Sequence, residues 1–129
     1  MRDYQRKGKY ILPQAVYNKT VWQIRDYQRM KDTYEALAEE RPAPPDGMPR
    51  GSGGKSDPTA QKAIKLSELS REIDAIEKAR KMMPAEYRDG VWMNVQYRIP
   101  FPDDAARGTY GRWKSRFIYA VAISLGYIQ

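Results

Sequence analysis

Apolar residues recur at intervals of three and four along the segment from Pro13 to about Glu40. An α-helix has about 3.6 residues per turn, so this spacing places them on one side of a helix. Pro13 suits the first turn, where its missing N–H would have no intrahelical acceptor. The apolar positions are Tyr17, Val21, Ile24, Tyr27, Met30, Tyr34 and Leu37. The pattern predicts one long amphipathic helix with a buried face.

A second amphipathic stretch follows Asp57 and Pro58, two residues suited to capping and opening a helix. Pro84 breaks this stretch, since a proline cannot continue a helix. Its apolar stripe consists of Leu66, Leu69, Ile73, Ile76 and Met83. Residues 41–57, between the two helices, hold four prolines and four glycines and predict a flexible linker. Two long helices joined in this way are expected to pack as an antiparallel hairpin.

The region after Pro84 predicts shorter helices. A first one restarts over residues 85–99 with Tyr87, Val91, Val95 and Trp92 as its apolar contacts. Pro102 and Asp103 can open a very short helix through Ala106, followed by a turn at Gly108. Thr109 is then expected to cap a last helix that ends at Gly126. Its inner stripe consists of Trp113, Phe117, Val121 and Leu125. Short helix, glycine turn and longer helix is the outline of a helix-turn-helix.

No segment shows the strict alternation of a strand, so the fold class is predicted to be all-α. The expected organisation is a basic N-terminal arm at residues 1–12, a helical hairpin at 13–83 and a helix-turn-helix module at 84–129. The linker at 41–57 lies within the hairpin.

Composition narrows the functional classes. The 129 residues include 23 Lys and Arg against 16 Asp and Glu, a net charge of +7 that favours a polyanionic partner such as nucleic acid. Cysteine and histidine are absent, which excludes disulfides, thiolate or imidazole metal ligands, and cysteine or histidine catalysis. We therefore expect neither an enzyme nor a cofactor. No apolar run is long enough to span a bilayer and no secretory signal opens the sequence, so a cytoplasmic protein without a membrane partner is expected.

The last helix carries the candidate binding chemistry. From Arg107 onward the sequence has four basic residues and no acidic one. If Trp113 and Phe117 face inward, the helix also has an outward face, with Lys114 on the opposite rim. The outward face consists of Gly111, Arg112, Ser115, Arg116 and Tyr119. Such a face suits a helix that enters the major groove of DNA. The same charges would also solvate an ordinary amphipathic helix, and helix-turn-helix outlines arise by chance in helical proteins.

Four segments resemble those of the phage and prophage late-transcription regulators of the RinA and ArpU group. They are KYILPQAVYNKTVWQIRDYQRMK, DPTAQKAIKLSELSREIDAIEKA, MPAEYRDGVWMNV and TYGRWKSRFIYAVAISLGYI. The C-terminal part of those proteins is similar to the region-4 helix-turn-helix of sigma factors. The resemblance implies binding to promoter or packaging-region double-stranded DNA and, in activators, contact with host RNA polymerase.

The resemblance also implies roles for particular residues. By position, the DNA-facing role falls on Arg112, Ser115, Arg116 and Tyr119, and contact with phosphates falls on Thr109 and Lys114. Gly111 departs from this pattern, because it stands where a base-contacting side chain would be useful. Architectural binding without sequence readout is therefore an alternative.

Two other functions fit the same sequence. One is a phage assembly or DNA-packaging subunit whose hairpin builds a homo-oligomer. The other is a partner-binding adaptor with no role on DNA.

Three further features of the sequence bear on possible chemistry. The basic residues at the N-terminus, Arg2, Arg6, Lys7 and Lys9, are interleaved with tyrosines and could follow phosphates or a minor groove, or form an ordinary unstructured terminus. The Gly54-Lys55-Ser56 sequence is not a phosphate loop, because Pro49 stands where the upstream glycine is required. Asp103 and Asp104 are expected to act at a helix start rather than as metal ligands.

Overall fold

The computed structural model describes residues 9–40 and 58–129. Within them the chain forms five α-helices and no strand, which confirms the all-α fold class. The helices are α1 (Gln14–Arg25), α2 (Tyr27–Glu39), α3 (Pro58–Met82), α4 (Ala85–Tyr97) and α5 (Arg107–Ser124). The predicted linker at 41–57 and residues 1–8 of the predicted N-terminal arm lie outside the described residues.

The first predicted helix is divided in two at Asp26. The Asp26 N–H still donates to the carbonyls of Trp22 and Gln23, at 3.1 and 3.2 Å, so the backbone hydrogen bonds continue through the break. Its carboxylate accepts two bonds from the Arg29 guanidinium, at 2.7 and 2.6 Å. The two halves pack against different helices: α1 contacts α4 and α5, whereas α2 lies along α3.

Two polar contacts define the directions of α2 and α3. At one end the Tyr27 hydroxyl donates to the Glu77 carboxylate at 2.5 Å. At the other end the Lys62 ammonium donates to the carbonyl of Glu40 at 2.9 Å. Because the start of α2 lies beside the end of α3 and the reverse holds at the far end, the two helices run antiparallel.

The core draws on every helix, including elements on both sides of residue 84. All seven apolar positions of the first predicted stripe are buried or packed against the core. In the second stripe Leu66 is half-buried and the other four residues are buried. Core residues that the patterns did not identify are Leu12, Ala75, Ala79, Tyr110, Ile118 and Ala122.

The end of α3 shows how this sequence stops a helix. The chain turns at Pro84, as predicted, and α4 begins at Ala85. The guanidinium of Arg88 then reaches back to the carbonyls of Arg80, Lys81 and Met83, at 3.1, 3.2 and 2.9 Å. The last carbonyls of a helix lack intrahelical N–H donors, and here the Arg88 side chain provides donors to the end of α3.

The predicted short helix at residues 102–106 is wrong, because residues 103 and 104 form a turn and residue 105 a bend. Helix α5 begins at Arg107 with Ala106 at its N-cap, so the predicted cap at Thr109 and the predicted turn at Gly108 are wrong as well. Both residues lie inside the first turn of α5. Asp104 accepts a hydrogen bond from the Tyr110 hydroxyl at 2.5 Å, a tertiary contact rather than a cap.

The end of α5 agrees with the prediction at Gly126. This residue has a φ of +77°, a left-handed conformation that favours glycine. The Gly126 N–H donates to the carbonyl of Ile123 and the Tyr127 N–H to that of Ala122, at 3.0 and 2.9 Å. These two bonds are the Schellman pattern that closes a helix.

Candidate nucleic-acid interface

Helix α5 is fixed by a tight contact around Tyr110, which is 1% exposed. Its ring stacks on Phe101, with centroids 5.3 Å apart. A Cβ atom on Gly90 would lie 2.6 Å from this ring and 2.8 Å from Pro102, so only glycine fits on α4 here without a shift. The bond from the hydroxyl to Asp104, together with burial, raises the pKa of Tyr110 to about 12. The first turn of α5 is therefore held rigidly against α4.

The opposite face of α5 carries four of the six predicted DNA-binding residues. Thr109, Arg112, Arg116 and Tyr119 are spaced by three, four and three residues, which places them along one side of the helix. We call this set the outward stripe. Arg112 is exposed and the other three residues are half-buried. Arg112 donates to the hydroxyl of Thr109 at 3.4 Å.

The other two predicted residues lie away from this stripe. Lys114 is half-buried, and the residues four positions before and after it, Tyr110 and Ile118, are both buried. Residues four apart share a helix face, so Lys114 leaves the helix on its packed side. Ser115 is half-buried at the border between the two faces.

Aromatic rings surround Arg116. Its guanidinium lies 4.6 Å from the ring centroid of Trp113 and 5.4 Å from that of Tyr10. The inner stripe predicts that Trp113 lies inside the core, but its side chain is only half-buried. The ring of Tyr10 also meets Tyr119 edge-on, with centroids 5.3 Å apart. The N-terminal segment thus contributes to this face, which the local sequence pattern of α5 does not indicate.

The arginines of the C-terminal region differ from the others in their partners. Each described arginine between residues 25 and 88 donates to a carboxylate or a backbone carbonyl: Arg25, Arg29, Arg71, Arg80 and Arg88. Among the described residues, no carboxylate or carbonyl accepts a bond from the later ones: Arg98, Arg107, Arg112 and Arg116. The cations on the outward stripe are therefore not committed to internal anions.

One cleft away from α5 has polar groups that are paired within the protein. A cleft of about 350 Å³ between α2, α3 and α4 is bordered by Tyr27 and Arg80, whose polar groups bond to Glu77 and Asp89. Burial and the bond to Glu77 raise the pKa of Tyr27 to about 12. No cluster of three acidic, cysteine or histidine side chains suited to a metal occurs in residues 9–40 and 58–129. In the same ranges, no helix has both the length and the apolarity needed to cross a membrane.

Comparison with protein-family models, with curated proteins and with solved structures yields no significant match.

Proposed function

We propose that the chain is a phage-type transcriptional regulator that binds double-stranded DNA through the outward stripe of α5, with α4 as its supporting helix. The observation that carries this proposal is the position of Arg112 and Arg116 and their lack of internal anionic partners. Both lie on one outward helix face, and neither has a carboxylate or carbonyl partner among the described residues. Cations without internal anions are the groups that release counterions from DNA phosphates.

The dimensions of the stripe suit a major groove. Thr109 and Tyr119 are ten positions apart, a rise of about 15 Å at roughly 1.5 Å per residue. The major groove is about 12 Å wide and admits one helix. The indole of Trp113 and the ring of Tyr10 restrict the Arg116 guanidinium, so less side-chain entropy is lost when it binds.

Each residue of the predicted site has a role in this proposal. Arg112 and Arg116 donate to phosphates or to guanine edges, the acceptors that planar guanidinium groups match best. The hydroxyls of Thr109, Ser115 and Tyr119 donate to phosphate oxygens at the groove edges. Lys114 contributes its charge from the packed side along a long flexible stem. Contact with host RNA polymerase is part of the proposal only through the resemblance to the RinA and ArpU group.

The test is a salt titration of duplex DNA binding by the full chain and by the variant R112A/R116A. Loss of two phosphate contacts is expected to reduce the magnitude of the negative slope of log K against log salt by about 1.8. At 0.1 M salt this corresponds to about 60-fold weaker binding. A matched control, K65A/K78A, removes two exposed cations of α3 and is expected to bind as the parent does. Equal slopes for parent and R112A/R116A would refute the proposal.

Exposed aromatic residues favour a second candidate, an assembly or packaging subunit that forms a homo-oligomer. Trp22 and Tyr97 are 64% and 65% exposed, which is unusual for side chains of this size. Light scattering separates the two: a monomer or dimer fits the regulator, and a closed ring of many copies fits the packaging subunit.

A further inference from the structure

The two arginines of the outward stripe lie in different surroundings. Their positions along α5 are equivalent, since Arg112 lies three residues after the first residue of the stripe and Arg116 three residues before the last. Arg112 is exposed, and its guanidinium donates to the Thr109 hydroxyl at 3.4 Å. Arg116 is half-buried, and its guanidinium lies over the rings of Trp113 and Tyr10, 4.6 and 5.4 Å from their centroids. Aromatic rings therefore restrain Arg116, whereas Arg112 contacts a hydroxyl.

The rings that restrain Arg116 are held by the rest of the fold. Trp113 packs against the hydrophobic core. Tyr10 meets the ring of Tyr119 edge-on, with centroids 5.3 Å apart. Two residues after Tyr10, the chain is anchored in the core by Leu12, which is 2% exposed. The position of the guanidinium is thus fixed from two directions, by α5 itself and by the segment before α1.

This arrangement suits hydrogen bonding through the edge of the guanidinium. Cation–π contacts use the flat faces of the group, whereas its N–H donors point outward in its plane. Among the described residues, no carboxylate or carbonyl accepts a bond from Arg116. The group therefore presents its donors to an external pair of acceptors, in a direction that the rings already restrict.

A guanine base edge is the acceptor pair that a restrained arginine matches best. In the major groove guanine presents O6 and N7 side by side, and a guanidinium donates to both at once. Such a pair forms only in a narrow range of orientations, so restraint of the side chain favours it. A phosphate gives charge and position without sequence information, and an exposed arginine such as Arg112 suits that contact.

We propose that Arg116 reads a guanine in the major groove through its O6 and N7 atoms, while Arg112 contacts the phosphate backbone. Trp113 and Tyr10 are the positioning residues that direct the Arg116 guanidinium. The inference rests on the proposed function and goes beyond it, because it assigns a sequence preference, a G·C base pair, to one side chain. It also supplies base readout on a helix whose Gly111 has no side chain to contribute.

The first test measures sequence preference with the full chain and a random duplex DNA library, from which repeated selection gives the preferred duplex of the parent. The specificity ratio is the affinity for this duplex divided by the affinity for a copy in which a selected G·C pair is replaced by A·T. One arginine–guanine pair contributes about 5- to 150-fold to such a ratio, and we expect R116A to lower the ratio to about 1. The matched variant R112A removes one cation from the same face and is expected to weaken binding to both duplexes alike, with the parent ratio kept.

A modified base tests the contact without any change in the protein. In 7-deazaguanine a C–H group replaces N7 and Watson–Crick pairing is intact, so one of the two acceptors is removed. The parent and R112A are expected to lose about tenfold in affinity for the modified duplex, the value of one hydrogen bond to a charged group. R116A is expected to bind the modified and unmodified duplexes equally. Equal binding of both duplexes by the parent would overturn the inference.

Variants of Tyr10 test its positioning role. Tyr10→Ala removes a ring beside Arg116 and is expected to give a specificity ratio between those of the parent and R116A. Tyr10→Phe keeps the ring and is expected to keep the parent ratio. Rescue by phenylalanine, with the helical circular dichroism spectrum unchanged in all variants, separates a role in orienting Arg116 from a role in folding. A parent-like ratio for Tyr10→Ala would show that this ring does not position the guanidinium.

The outcomes distinguish this inference from the proposed function. If the parent binds duplex DNA but selects no G·C pair, or if R116A keeps the parent ratio, the base contact is wrong and salt-dependent binding by α5 stands. If R112A loses the ratio and R116A keeps it, the two arginines have the opposite roles and the inference is wrong. If the parent does not bind duplex DNA, both proposals fail.

Discussion

The described arginines between residues 25 and 88 and those of the C-terminal region have the same charge and different partners. Arg88 donates to three backbone carbonyls at the end of α3, and Arg25 and Arg71 each donate to the carbonyl of a residue far along the sequence. Arg112 and Arg116 instead contact a hydroxyl and aromatic rings on the outside of α5. The comparison shows that basic charge alone does not identify a binding surface. What distinguishes Arg112 and Arg116 is that no carboxylate or carbonyl among the described residues accepts a bond from them.

The strongest test of this comparison uses the two faces of α5. Phe117 is fully buried and contacts the ring of Trp92, with centroids 6.2 Å apart. Phe117→Ala is expected to lower the free energy of unfolding by about 3 to 5 kcal/mol, because it removes a core aromatic and leaves a cavity. Arg112→Ala, five residues earlier and exposed, is expected to change it by less than about 0.5 kcal/mol. Urea denaturation measures both, and similar losses would show that the faces are wrongly assigned.

The next test exchanges an arginine from each region. Arg88→Gln removes the donor to three carbonyls and is expected to destabilise the fold by about 1.5 to 3 kcal/mol, with DNA affinity unchanged where the variant is folded. Arg116→Gln is expected to cost less than about 1 kcal/mol of stability, because it loses only cation–π contacts, and to weaken DNA binding. Thermal unfolding and the salt titration report the two effects separately. If both variants lost affinity alike, the division between the two regions would not hold.

The sequence predicts the helices and their buried faces well, because the periodicity of apolar residues is a local signal. It does not predict the break at Asp26, since the hydrogen bonds there continue and the spacing of apolar residues is unchanged. It predicts Thr109 as the cap of α5, but the helix begins two residues earlier, at Arg107. Asp104, expected at a helix start, instead accepts a bond from the Tyr110 hydroxyl.

The candidate site could be predicted only in part. The spacing of Arg112, Arg116 and Tyr119 predicts their shared face. It does not predict that Lys114 lies between the buried residues Tyr110 and Ile118. The burial of Tyr110 depends on Gly90, which lies twenty residues earlier and leaves the space that the ring fills. The contact between Tyr10 and Arg116 joins residues more than a hundred positions apart, for which a single sequence carries no signal.

A smaller effect is expected where α4 meets the first turn of α5. In Gly90→Ala the new methyl group would lie within 3 Å of both Tyr110 and Pro102, so the helices must move apart. Overpacking of this kind costs about 1 to 3 kcal/mol, and the better helix propensity of alanine offsets up to about 1 kcal/mol. We expect net destabilisation of about 1 kcal/mol by urea denaturation, with a further loss of DNA affinity if the position of α5 matters. Greater stability than the parent would show that the contact is loose.

The smallest expected effect concerns the hydrogen bond that holds α5 from its N-terminal turn. Tyr110→Phe keeps the ring and removes the hydroxyl that donates to Asp104, at a cost of about 0.5 to 1.5 kcal/mol, since the exposed carboxylate regains water. The folded pKa of Tyr110, about 12, exceeds its ordinary value of 10, so the protonated phenol is favoured by folding. Its stabilisation is therefore complete below pH 10 and is lost as the pH rises from 10 to 12.

The difference in unfolding free energy between the parent and Tyr110→Phe is then expected to change with pH in the alkaline range. The two urea midpoints are expected to differ at pH 8 and to converge above pH 10, because the unfolded phenol ionises first and draws the equilibrium toward the unfolded chain. Tyr27, whose pKa is also about 12, contributes the same kind of decline to both proteins and cancels in the difference. A constant difference from pH 8 to pH 11 would show that the Tyr110 hydroxyl does not hold the first turn of α5 through its proton.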